Sequence, residues 1–151
     1  MLGSKTVTRR EEETIQIGVK FSENLKKGDV VALEGELGSG KTRFVKGVSM
    51  GLGVLDPREV KSPTFSLLQV YEARMPIYHM DYFRLSSPKE VLDAGLDPFD
   101  YRDGVVLVEW ADKFPELFSL PHIRVILRIL EEETREIEVI LEAHKSFVEE
   151  S

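Results

Sequence analysis

Short apolar stretches at three places divide the chain. The runs 30–33 and 105–108 contain only valine, alanine and leucine. Continuous apolar runs of this length predict strands that are buried on both faces of a sheet. The stretch 77–81 predicts a further strand. An acidic residue ends this stretch, and another directly follows the run 105–108, so each strand is expected to present a carboxylate at its C-terminal end.

Looser patterns predict the remaining strands. The stretch 5–7 predicts a short first strand, and 65–72 predicts a β-rich segment with loose alternation. Near the C-terminus, apolar residues occupy every second position from Ile123 to Ile129 and again from Ile137 to Leu141. The polar turn 131–135 joins these two stretches, so the chain is expected to end in a β-hairpin.

Helical spacing of apolar residues predicts helices over 10–25 and 41–52. Thr8 and Glu11 match the S/T-x-x-E capping box and are expected to start the first of these helices. Ser87 precedes a proline and lies three positions before a glutamate, which predicts the start of a third, short helix. No internal repeat interrupts this order of elements.

Composition limits the class of protein. The 151 residues are 42% hydrophobic and 31% charged, which indicates one globular domain over 1–151. The absence of cysteine excludes disulfides, thiolate metal sites and cysteine nucleophiles. No apolar run approaches the roughly 20 residues of a membrane helix, and the N-terminus lacks the apolar core of a signal peptide. A cytoplasmic protein without a membrane partner is therefore expected.

The net charge of -7 bears on possible partners. An acidic protein does not attract nucleic acid over its whole surface, so tight binding would need a local basic patch. The charged tail after His144 is expected to fray.

One motif is specific. Gly35, four intervening residues, Gly40, Lys41 and Thr42 match the phosphate-binding loop G-x-x-x-x-G-K-[ST], between a predicted strand and a predicted helix. The glycines let backbone N–H groups surround phosphates, and Lys41 supplies a positive charge. The Thr42 hydroxyl is a hard oxygen ligand for Mg²⁺. The residues expected to bind the nucleotide are Gly35, Glu36, Leu37, Gly38, Ser39, Gly40, Lys41, Thr42 and Arg43.

A phosphate-binding loop needs an acidic partner on a neighbouring strand, and the sequence offers Asp81 and Glu109. We expect Asp81 to bind the metal with Thr42, directly or through water. We expect Glu109 to orient the attacking water, with metal contact as a second role left open. Thr64 is a candidate to contact the γ-phosphate and its Mg²⁺, as a threonine does in nucleotide switches. The predicted catalytic residues are thus Lys41, Thr64, Asp81 and Glu109, and the predicted metal ligands are Thr42, Asp81 and Glu109.

Three neighbours of these motifs receive less specific interpretations. His79 is expected to be a strand histidine with satisfied hydrogen bonds. Trp110 is expected to serve packing rather than stacking on a ligand. Arg84 is a candidate to stabilise charge in the transition state, with a plain surface position as the alternative.

Four segments occur together in one order along the chain. They are GELGSGKTRFVKG at 35–47, KSPTFSLLQVYE at 61–72, YHMDYFRL at 78–85 and VEWADKF at 108–114. In order and spacing they resemble the bacterial TsaE family, formerly YjeE, the ATPase of tRNA threonylcarbamoyladenosine biosynthesis. The resemblance covers residues 8–142. Phe83 departs from it, because tyrosine is usual at that position.

This resemblance implies an α/β fold of the P-loop NTPase type, a three-layer sandwich with a mixed central β-sheet and a C-terminal β-hairpin. It implies slow hydrolysis of ATP with Mg²⁺. The implied partners are the TsaD and TsaB proteins, which transfer the threonylcarbamoyl group to tRNA, with tRNA contacted only indirectly. The loop and acids named above inherit the nucleotide and metal roles, and Thr64 inherits a switch-like role. Thr14 and Arg135 are implied to border the adenine.

The residues alone leave other functions open. A small-molecule kinase would use the same loop, although it usually needs an arginine-rich lid that is not evident here. A GTPase is disfavoured because an N-K-x-D segment is absent. A nucleotide-dependent adaptor without catalysis also remains, because the role of Glu109 is inferred from its position.

Overall fold

A computed structural model describes residues 3–142 and shows one seven-stranded sheet with helices on both faces. The strands are β1 (Lys5–Thr8), β2 (Val30–Glu34), β3 (Leu68–Tyr71), β4 (Ile77–Asp81), β5 (Val105–Glu109), β6 (His122–Glu131) and β7 (Thr134–Glu142). The α-helices are α1 (Glu11–Ser22), α2 (Lys41–Gly51) and α3 (Pro88–Asp93). Three short 3-10 helices cover Pro57–Glu59, Ala111–Lys113 and Pro115–Leu117.

The sheet is mixed, in the order β1-β7-β6-β2-β5-β4-β3. Its centre is parallel: β2 pairs with both β5 and β6, and β4 pairs with β5. The outer pairs are antiparallel, and β6 and β7 form the predicted C-terminal hairpin. The register of β4 against β5 places Asp81 opposite Glu109, so both predicted acids lie together at one edge of the sheet.

Two apolar cores lie on opposite faces of the sheet. Alternate residues of β2 divide between them, with Val31 and Leu33 in one core and Val30 and Ala32 in the other. Helices α1 and α2 cover the first core, whereas α3 and the segment after β5 cover the second. This arrangement confirms the predicted three-layer α/β sandwich with a mixed central sheet.

Helices α1 and α2 pack unusually closely. A side-chain carbon built on Gly47 would overlap the backbone carbonyl of Ile15, and one built on Gly18 would overlap the carbonyl of Phe44. The contact thus joins backbone to backbone and admits no side chain at either glycine. This close approach sets the position of α2, whose first turn borders the phosphate-binding loop.

The predicted capping box of α1 is wrong. The residue before the helix is Arg10, whose side chain makes no capping hydrogen bond. The backbone N–H of Arg9 instead donates to the Glu13 carboxylate, at 2.7 Å. Thr8 lies in β1, where its hydroxyl is buried and bonds to that of Thr14 at 2.9 Å. Strand pairing with β7 therefore determines the position of Thr8.

Other boundaries differ modestly from those predicted. Helix α1 ends at Ser22 rather than at 25, and β3 begins at Leu68 rather than at 65. The segment before β3 forms a turn in which Leu67 has a φ of 69°. The predicted start of α3 is confirmed, because the Ser87 hydroxyl accepts a hydrogen bond from the backbone N–H of Glu90.

The predicted frayed tail after His144 lies outside the described residues. Within residues 3–142, no helix is long and apolar enough to cross a membrane.

Candidate functional site

The phosphate-binding loop connects β2 directly to α2, as the motif predicts. Gly40 precedes the helix with a φ of 103°, a left-handed conformation that glycine adopts without strain. A side-chain carbon on Gly35 would lie 2.7 Å from the backbone oxygen of Leu127 and would overlap the Ser39 hydroxyl. The conformation of the loop therefore requires glycine at Gly35 and Gly40. Helix α2 begins where the loop ends.

A cavity of about 490 Å³ opens beside this loop. The predicted residues that line it are Leu37, Gly38, Ser39, Gly40, Lys41, Thr42, Arg43, Thr64, Asp81 and Glu109. Gly35 and Glu36 do not line this cavity and instead border a second one, of about 430 Å³. Four segments that are distant in sequence thus meet at one cavity, which is a property of binding sites for small ligands.

Lys41 is buried beneath the loop. Its ammonium group donates to the carbonyl oxygens of Gly35 and Glu36, at 2.5 and 3.1 Å. The same group lies 4.1 Å from the centre of the Trp110 ring, a cation–π contact. Burial lowers the pKa of Lys41, and nearby carboxylates, that of Glu109 foremost, oppose the shift. An anion in the cavity would offer this ammonium a stronger partner than two carbonyls.

The two acids are held by hydroxyl groups from different segments. The Thr42 hydroxyl bonds to both carboxylate oxygens of Glu109, at 2.9 and 3.1 Å. Asp81 accepts hydrogen bonds from Ser62, at 2.6 Å, and from Thr64, at 3.3 Å. The structure therefore brings the predicted metal ligands and Thr64 together. It also adds Ser62, which lies in the same predicted turn and makes the shorter bond to Asp81.

A buried histidine lies behind Glu109. His79 is fully buried, and its Nε2 atom is 2.6 Å from the Glu109 carboxylate. The hydrogen bonds of His79 are satisfied, as predicted, but its partner is an acid of the site. The alternation of side chains in β4 places His79 on the same face as Asp81, and this period-two spacing was the available signal in the sequence.

Aromatic rings form part of the cavity wall. Trp110 packs against the second core, as predicted, and also lines the cavity, where its ring lies 4.9 Å from that of Phe83. Trp110 has a φ of 61°, which is uncommon for a bulky residue. Arg84 does not line the cavity, and its guanidinium lies 4.7 Å from the ring of Phe65, whose side chain is exposed.

The start of α1 and the hairpin turn meet at the other side of the loop. Arg135 donates a hydrogen bond to the carbonyl oxygen of Gly38, at 3.0 Å. Thr14 and Arg135 both line a small cavity of about 60 Å³ beside the loop. Arg43, which borders both cavities, forms an ion pair with Glu11 at 3.3 Å.

Comparison with known proteins shows which proteins this chain is similar to. Residues 8–137 match the family model described as "Threonylcarbamoyl adenosine biosynthesis protein TsaE". The TsaE protein of Treponema pallidum is 38% identical over 135 residues, 89% of this chain and 98% of that protein. The TsaE protein of Bacillus subtilis is 40% identical over 131 residues, 86% of this chain and 80% of that protein.

A solved structure is similar over nearly the whole chain. The crystal structure of YdiB from Bacillus subtilis aligns with a TM-score of 0.72 and 31% sequence identity. The alignment covers 97% of this chain and 92% of YdiB. Sequence and fold therefore lead to one conclusion: the chain belongs to the TsaE family of threonylcarbamoyl adenosine biosynthesis proteins.

Proposed function

We propose that the chain is an ATPase that binds Mg-ATP in the 490 Å³ cavity and hydrolyses it slowly. One observation carries this proposal: Lys41, Thr42 and the two strand-end acids converge at the wall of a single cavity, beside the start of α2. The loop and helix terminus suit the triphosphate, because they combine backbone N–H groups with positive charge.

The donor atoms at the site suit magnesium. Thr42, Asp81 and Glu109 offer only hydroxyl and carboxylate oxygens, the hard ligands that Mg²⁺ prefers. Among residues 3–142, no group of three or more acidic, histidine or cysteine side chains is placed to hold a metal ion. Thr42, Asp81 and Glu109 would hold Mg²⁺ together with phosphate oxygens and water, as is usual at nucleotide sites. When bound, Mg²⁺ neutralises charge on the β- and γ-phosphates.

The protein side chains supply the remaining chemistry. The Lys41 ammonium exchanges its two backbone carbonyls for phosphate oxygens. Glu109 accepts a hydrogen bond from the attacking water and so orients it towards the γ-phosphate. Ser62 and Thr64 line the cavity and donate hydrogen bonds to Asp81, and the segment that carries them is proposed to respond to the γ-phosphate. No arginine of the described segments is placed as a finger in the cavity beyond Arg43, which is paired with Glu11. Slow turnover in the isolated protein is therefore expected.

We further propose that hydrolysis serves tRNA threonylcarbamoyladenosine modification in the cytoplasm through the TsaD–TsaB pair. Support comes from the family, whose name places the chain in this biosynthesis. A partner that contributes charge or orders the 61–64 segment would accelerate hydrolysis, as activating proteins do for other phosphate-binding-loop enzymes.

The experiment is ATP hydrolysis by the protein alone and with added TsaD and TsaB, with Lys41→Ala as the control. We expect slow hydrolysis that depends on Mg²⁺, rises with the pair and is lost in Lys41→Ala. Hydrolysis that the pair does not change would remove the partner from the proposal. Phosphate transfer to a small acceptor in place of water would instead establish the kinase alternative.

A further inference from the structure

Three buried side chains and the half-buried Thr42 hydroxyl form a continuous hydrogen-bonded chain that extends from the cavity into the core. The Thr42 hydroxyl contacts Glu109, which contacts Nε2 of His79 at 2.6 Å. Nδ1 of His79 lies 2.9 Å from the hydroxyl of Tyr71, and this hydroxyl lies 3.3 Å from the backbone oxygen of Lys61. The side chains of Tyr71, His79 and Glu109 are at most 3% exposed.

The chemistry of these groups orients the chain. A carboxylate only accepts hydrogen bonds, so Nε2 of His79 must carry the proton that lies towards Glu109. Where Nδ1 carries no proton it is an acceptor, and the Tyr71 hydroxyl then donates its single proton to it. Burial raises the pKa of Tyr71 to about 12, which keeps this hydroxyl protonated and able to donate. The shorter of its two contacts is the one to His79.

This orientation has a consequence for Glu109. Its side chain could rotate about its terminal bonds if only Thr42 held it, because a single hydroxyl constrains a carboxylate weakly. The ring of His79 is itself fixed between two strands and by Tyr71, so its N–H defines one direction for Oε2. Partners behind a catalytic or metal-binding side chain commonly fix its orientation in this way.

We propose that His79 and Tyr71 are positioning residues that hold Glu109 for ATP hydrolysis. The inference rests on the proposed function. The Tyr71 hydroxyl has one proton and donates it to His79, so the nearby Lys61 carbonyl is not part of the hydrogen-bonded chain.

Two tyrosines provide a matched test. Tyr71→Phe removes only the hydroxyl that holds His79. Tyr82→Phe removes an equally buried hydroxyl, which donates to the carbonyl of Leu96 on the opposite face of the sheet, away from the cavity. Loss of stability from a missing buried hydrogen bond is thus similar in both variants, whereas only Tyr71→Phe affects the chain to Glu109.

The histidine itself is tested with two further variants. His79→Leu removes the donor, whereas His79→Gln retains an amide N–H that can reach Glu109 in place of Nε2. For each full-length variant, kcat for ATP hydrolysis is measured with saturating Mg-ATP. The Kd for ATP is measured separately in EDTA, where the phosphate-binding loop alone determines affinity.

We expect kcat to fall about tenfold in Tyr71→Phe and about a hundredfold in His79→Leu, the range for loss of supporting residues. The Kd for ATP stays within about twofold, and His79→Gln recovers most of the loss in kcat.

Equal kcat in Tyr71→Phe and Tyr82→Phe would overturn the inference while leaving the proposed function intact. A folded His79→Gln variant that is as inactive as His79→Leu would also overturn the inference. If His79→Leu fails to fold, the comparison of kcat between Tyr71→Phe and Tyr82→Phe decides whether the inference holds. A wild-type protein that hydrolyses no ATP would overturn the proposed function and the inference together.

Discussion

The Glu109 carboxylate is buried and yet borders the cavity, where it can take part in the reaction. Its side chain is only 3% exposed, and an unpaired buried carboxylate is costly. Hydrogen bonds from Thr42 and His79 offset that cost. The same bonds leave the carboxylate beside the cavity, so the groups that stabilise the charge also define where it can accept a proton or contact a metal.

Glu109→Gln is expected to separate binding from hydrolysis. Glutamine has nearly the same shape and still accepts a hydrogen bond from Thr42, but it cannot serve as a base. We expect ATP hydrolysis to fall by about 10²- to 10⁴-fold while the Kd for ATP changes only a few-fold. Radiolabelled ATP would show hydrolysis and retention in the same sample.

Asp103→Asn is the control for this prediction. Asp103 is an exposed carboxylate that accepts a hydrogen bond from Tyr78, far from the cavity, and its replacement should leave turnover unchanged. Undiminished turnover in Glu109→Gln would show that Glu109 has no catalytic role and would favour a different base.

The residues of the site were predictable to different degrees. Lys41 and Thr42 could be predicted because the phosphate-binding loop requires those residue types at fixed spacing. Asp81 and Glu109 could be proposed because each ends a predicted strand. The contact between His79 and Glu109 could not, because it depends on the pairing of β4 with β5, which local patterns do not encode.

At the scale of elements, the contact between α1 and α2 places the loop. Gly47 faces the carbonyl of Ile15 without room for a side chain. Because α2 begins where the phosphate-binding loop ends, any displacement of this helix also moves Lys41 and Thr42.

Gly47→Ala is therefore expected to destabilise the protein. Alanine normally favours a helix, but here its methyl group would push α2 away from α1, at a cost of about 1–3 kcal/mol. Chemical denaturation monitored by circular dichroism would measure the free energy of unfolding.

Ser49→Ala in the same helix is the matched comparison. The Ser49 hydroxyl is buried and has no hydrogen-bond partner among the described residues. Its removal should leave the free energy of unfolding within about 0.5 kcal/mol or raise it. A Gly47→Ala protein as stable as Ser49→Ala would show that the two helices tolerate separation.

Element boundaries were predictable where local chemistry determines them. The start of α3 followed from the capping serine and proline, and β5 followed from its apolar run. The capping box at Thr8 was wrong because β1 pairs with β7, more than a hundred residues away in sequence. Tertiary pairing overrode a valid local signal there, whereas β3 is shortened by a local turn that the Leu67 N–H closes on the Pro63 carbonyl.

For the whole molecule, charge limits the choice of partners. The net charge of the protein is -7. Several arginines of the protein form ion pairs with acidic side chains. Arg124 bonds to Glu34 and Glu142, and Arg43 pairs with Glu11 at the mouth of the cavity. Arg43 is thus engaged by an acid at the mouth of the cavity and is not free to bind a phosphodiester backbone.

The isolated protein is expected to bind tRNA weakly. Non-specific nucleic-acid binding at physiological salt has a Kd of about 10⁻⁴ to 10⁻⁶ M, and an acidic surface should fall at the weak end. Filter binding with unmodified tRNA, with and without ATP, would measure this affinity. A submicromolar Kd at that salt concentration would contradict the indirect role proposed for tRNA.

The register between β4 and β5 limits how the chain can vary in length. Asp81 and Glu109 lie side by side because both strands end at the same level. Residues inserted or deleted between the strands leave this level unchanged. A single deletion inside β4 would turn Asp81 to the other face of the sheet and withdraw His79 from Glu109. Length variation is therefore expected only in exposed turns of the connection between the strands, and not within either strand.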